Sequence, residues 1–85
     1  MERSEWKDTV SSFHLVVDDP EATEVQVDFV TRGLCHLAHD YNEEHPETRD
    51  MTMSELRTCL SKVHARMGDQ WFAQHAAVFV CHCLV

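Results

Sequence analysis

The sequence predicts an α+β fold, two amphipathic helices packed on a small β-sheet in the order strand, helix, helix, strand. Three observations predict it: a helix with a start, a stripe and a stop between Thr52 and Gly68, a second capping pattern at Thr23, and β-prone apolar runs at 13–17 and 71–85. Together they describe one small domain over residues 13–85, preceded by a flexible segment, 1–12.

Residues 1–12 are mostly polar and are expected to fray, with Trp6 the side chain able to dock on the body. Phe13-His14-Leu15-Val16-Val17 is rich in β-branched and aromatic residues and is stopped by Asp18-Asp19-Pro20, the pattern of a short strand. Thr23-Glu24-Val25-Gln26 then has the capping-box form, with Asp19 before Pro20 as an earlier alternative cap. The first helix carries a stripe of Val27, Val30, Leu34, Leu37 and Tyr41, flanked by Val25, Phe29 and Ala38. Gly33 inside it costs up to ~1 kcal/mol relative to alanine, which predicts a close neighbour at that point. Residues 42–51 form a polar linker containing Pro46.

The second helix opens on another capping box, Thr52-Met53-Ser54-Glu55. Met53, Leu56, Leu60, Val63 and Met67 recur at alternating steps of three and four, and Gly68 closes the helix. For 71–85, a helical continuation would place Trp71, His75, Val78, His82 and Val85 near one face. Val78-Phe79-Val80-Cys81 is β-branched and aromatic, however, and the run is apolar on both alternating faces. That pattern favours a strand buried on both sides.

A chain of 85 residues buries only about 60–65% of its unfolded surface, so a metal, a disulfide or a partner would add materially to its stability. The cysteines at 35, 59, 81 and 83 lack the spacing of a dense secreted framework, and residues 1–7 are charged rather than apolar. Reduced thiols in a cytoplasmic protein follow, with no run long enough to span a membrane. The net charge of −8 sits almost wholly between Asp18 and Asp50, where ten acidic residues face only Arg32 and Arg49. Nucleic-acid binding needs a basic face and is not expected. An acidic surface of this kind suits a basic partner or a cation, or simply remains solvated.

Two metal sites are conceivable. Cys35 and His39 stand one helical turn apart, and Cys81 and Cys83 share a face of a strand, so the four together offer zinc its preferred ligands. No CxxC pair occurs, and cysteine is equally a small core residue. For calcium, a standard EF-hand loop from Glu44 would put Pro46, Thr48 and Arg49 at its third, fifth and sixth positions, with arginine where the turn needs glycine. A 14-residue variant loop from Asn42, using backbone carbonyls and Glu55, resembles the first hand of the small dimeric calcium sensors. A nucleophilic enzyme is not expected: Cys59 and His64 face different ways on a helix, and Ser11 and Ser12 have no glycine elbow.

The order of elements resembles the small dynein light chains, cytoplasmic, cytoskeletal cargo adaptors that act as homodimers. Leu15-Val16-Val17 is similar to their first strand and Thr23-Glu24-Val25 to their helix cap; Val30, Leu37 and Tyr41-Asn42 match the first helix. Cys59, Val63 and Met67 match the second helix, and Gly68-Asp69-Gln70-Trp71 the turn into the central strand. The longer linker and the absence of glycine after Trp71 make the resemblance that of a divergent or truncated member. It implies a non-enzymatic dimer that binds partner segments by strand addition, without a cofactor. The edge would be the strand entered from Trp71, with Val78, Phe79, Val80, Cys81 and Cys83.

Overall fold

The computed structural model describes residues 2–83, with side chains as far as Phe79. Four helices follow one another: α1 (Arg3–Val17), α2 (Glu24–Glu44), α3 (Arg49–Met67) and α4 (Asp69–Cys83), with one 3₁₀ turn at Pro46–Thr48. There is no strand among the described residues, so the expected α+β sheet is replaced by a helical bundle. The strand–helix–helix–strand order that carried the light-chain resemblance has a helix at each of its two outer positions.

The first correction concerns the N-terminal third. From Arg3 onward the segment expected to fray belongs to α1, and so does the whole run expected to be a strand. Trp6, Val10, Phe13 and Val17 lie at steps of four, three and four, a helical stripe that fills the core; Trp6 is wholly buried, and Phe13 and Val17 nearly so. Glu5 caps the start, its Oε2 accepting from the Glu2 N–H at 3.2 Å. Trp6 stacks on Tyr41 of α2 with ring centroids 6.0 Å apart.

The second helix begins as its sequence predicts. Thr23 Oγ1 accepts from the Gln26 N–H at 3.2 Å, and Gln26 Oε1 accepts from the Thr23 N–H at 2.8 Å. At Gly33 the expected close neighbour is missing: a Cβ there would meet nothing within 4 Å. The linker is mostly helical, because α2 runs on to Glu44 and α3 starts at Arg49. Thr52 therefore lies inside α3 rather than capping it. It is fully buried, and its hydroxyl donates to the Thr48 carbonyl at 3.2 Å. The stripe is as predicted, with Met53, Leu56, Leu60 and Val63 buried and Met67 at its edge.

Gly68, at φ +90°, ends α3, a backbone conformation that side-chain-bearing residues rarely adopt. Then α4 takes the place of the expected strand. Its apolar face closes over α2 and α3, with Phe79 in the core and Trp71 and Phe72 partly buried.

Three helices surround α2, which packs against each of the others, whereas α1 and α4 do not touch among the described residues. The start of α1 is tied to the start of α3 by Arg3 Nη2, 2.6 Å from Glu55 Oε1. The end of α1 is tied to the end of α3 by Lys62 and Arg66. These ties make α1 and α3 parallel, with α2 running back between them.

Candidate docking groove

The turn between α1 and α2, residues 18–23, is held from below by α3. Arg66 Nη1 donates to the carbonyls of Val17 at 2.6 Å and Asp19 at 2.5 Å, and Nη2 donates to that of Ala22 at 2.7 Å. Lys62 Nζ lies 2.7 Å from Asp18 Oδ1 and 2.9 Å from His14 Nδ1. Asp19 folds back on the turn, its Oδ1 accepting from the Glu21 N–H at 2.9 Å. Charge-assisted bonds to carbonyls are among the stronger ones available, so the turn is a fixed platform.

Above that platform the two helices leave an apolar groove of about 470 Å³. Leu15 and Val16 of α1 form one wall, Val25, Phe29 and Val30 of α2 the other, and Ala22 joins them. Leu15, Val25 and Phe29 are 76%, 78% and 76% exposed. Single exposed apolar residues are ordinary, but three large ones around one groove are an interaction feature. The sequence did not single out this site, although it held a signal. Once α1 is drawn as a helix, Leu15 falls off the Trp6–Val17 stripe, and Val25 and Phe29 form a pair one turn apart beside the Val27 stripe.

The residues nominated from sequence are placed differently. Trp71, Val78 and Phe79 lie on α4 instead of on a strand edge, and Trp71 and Phe79 close the core; Trp71 stacks on His75 at 3.9 Å, and Phe79 is 1% exposed. The side chains of Val80, Cys81 and Cys83 lie outside the described residues. Cys35 is fully buried, while His39 is on the outer face of α2, 3.2 Å from Glu43, so these two are not brought together. His39, Asp40 and Glu43 do gather their ligand atoms within 4.8 Å of one another, all at the surface. Asn42 is buried, its amide donating to Met53 Sδ at 3.4 Å, and Glu55 is engaged by Arg3. The variant calcium loop between them is thus occupied by helix, whose carbonyls are largely committed to backbone bonds.

Burial, reinforced by Glu55 and Cys35, pushes the Cys59 thiol up to about 11. The thiol is the stable form in the fold, so Cys59 is a core residue and not a ready nucleophile. Iodoacetamide at pH 8 is expected to label Cys59 on the order of 100-fold more slowly than an unhindered thiol, and fully after denaturation, as read by peptide mass spectrometry. The sign for stability follows. An unfolded Cys59 loses its proton near 9.0 and the folded one near 11, so stability falls as pH rises through that window. Cys59→Ala should flatten that part of the stability profile.

Among the described residues no helix is long and apolar enough to cross a membrane. No family model, no curated protein and no solved structure matches the chain.

Proposed function

We propose that the chain is a non-enzymatic, cytoplasmic protein-interaction module that holds a partner in the groove between α1 and α2. The exposure of Leu15, Val25 and Phe29 around one rigidly supported groove carries the proposal. The adaptor role implied by the light-chain resemblance takes this form: side-chain docking on a helical surface in place of strand addition.

A photo-crosslinking phenylalanine analogue at position 29, in cells that make the protein, is expected to give a discrete protein adduct. Changing Leu15 and Val25 together to serine should remove it. The same probe at Thr58, an exposed position on α3, should not give that adduct. No adduct from position 29, or an equal one from position 58, would count against the proposal. Phe29→Ser itself should shift folding stability by less than about 0.5 kcal/mol in a urea titration, since the ring is mostly solvent-exposed.

A further inference from the structure

We infer that the occupant of the groove is a basic amphipathic helix, a partner class that rests on the groove being the docking surface. Three observations select it. First, the described residues contain no sheet edge, and the groove walls are apolar side chains with only Asp19 and Gln26 as polar members. An extended segment would bring unpaired backbone donors and acceptors into that trough, whereas a helix satisfies its own. An amphipathic helix presents an apolar stripe of matching kind at i, i+3, i+4 and i+7.

Second, the segment that builds the groove carries charge of one sign. Residues 15–30 contain Asp18, Asp19, Glu21, Glu24 and Asp28 and no lysine or arginine. Asp18 is paired with Lys62 and Asp28 with Arg32, and Arg66 is committed to the turn carbonyls. The carboxylate of Asp19 in the groove lining, and the exposed carboxylates of Glu21 and Glu24 next to lining residues Ala22 and Val25 in the chain, have no lysine or arginine partner among the described residues and remain as the attractive groups.

Third, a second copy of the chain is disfavoured as the occupant. It would bring the same acidic residues against these and add another −8 of net charge. Opposite charges on a partner helix would speed encounter and set its orientation, while the apolar stripe supplies the contact area.

The test uses the full chain, isotope-labelled, and three synthetic helices of about 16 residues that share one leucine stripe and differ in their polar positions: lysine, glutamine or glutamate. Amide shifts should change at Leu15, Ala22, Val25 and Phe29, with the lysine peptide binding about tenfold tighter than the glutamine peptide and the glutamate peptide weakest. Raising salt should erase most of the lysine advantage. The double variant Glu21→Gln with Glu24→Gln should weaken the lysine peptide severalfold and leave the glutamine peptide unchanged.

Equal binding of the lysine and glutamine peptides at these residues would overturn the basic-partner inference and leave the groove intact. Binding elsewhere, or no binding of any peptide, would overturn both. Concentration-dependent shifts at Leu15, Val25 and Phe29 without peptide would assign the groove to a second copy and overturn the inference in favour of self-association.

Discussion

Trp6→Ala is expected to remove much of the fold's stability and to lower its urea midpoint steeply. The indole is wholly buried, packs on Tyr41, and begins the only stripe by which α1 joins the core. Truncating a buried tryptophan to alanine costs about 3–5 kcal/mol, against a total stability on the order of 5–10 kcal/mol for a domain of this size. The urea midpoint and the far-ultraviolet helical signal would measure it. Trp6→Phe, which keeps most of the apolar volume, should retain a cooperative transition. Removing residues 2–12 should be as damaging as Trp6→Ala. An unchanged midpoint in either variant would mean that α1 contributes little to the fold.

Arg66→Met is the second large effect. Methionine keeps much of the apolar stem but removes the guanidinium that bonds three carbonyls of the α1–α2 turn. Bonds to a charged donor contribute about 1.5–3 kcal/mol each, and three from one group are not additive, so a loss of about 2–4 kcal/mol is expected. Amide exchange at the turn should rise more than exchange in α3, because the platform loosens while the α3 stripe stays packed. Arg66→Lys should recover only part of the loss, since one ammonium cannot reproduce the planar fork. Equal exchange in turn and helix would show that Arg66 acts through general stability alone.

The two central helices were legible because their signals are local. The Thr23–Gln26 box and the Met53–Met67 stripe each lie within one helix and need no partner to be recognised. The outer helices were not legible from short windows. Residues 13–17 look like a strand when taken alone, yet Phe13 and Val17 face the core and Leu15 faces out, the arrangement a helix gives and a strand does not. In α4 the β-branched residues weigh toward strand, but Trp71, His75 and Phe79 stack along one helical face. Tertiary burial against α2 and α3 outweighs that local propensity. Thr52-Met53-Ser54-Glu55 had the form of a cap without the role, because the 3₁₀ turn lets α3 begin four residues earlier, at Arg49 with Thr48 before it. The groove was hidden for a related reason: an apolar residue on a helix reads the same whether a neighbour covers it or not.

The parallel alignment of α1 and α3 has a consequence for how the chain is made. A ribosome releases α1 before α3, but Arg3 and Val17 find their partners in Glu55 and Arg66, 52 and 49 residues further on. The indole of Trp6 and the ring of Phe13 therefore wait without their complete burial partner until α3 has emerged. Closing loops of this span precedes the reward of the contacts, which slows the step relative to a simple up-and-down hairpin. Vectorial synthesis thus leaves a nascent N-terminal helix with an adhesive face, and the last two helices complete the fold around it.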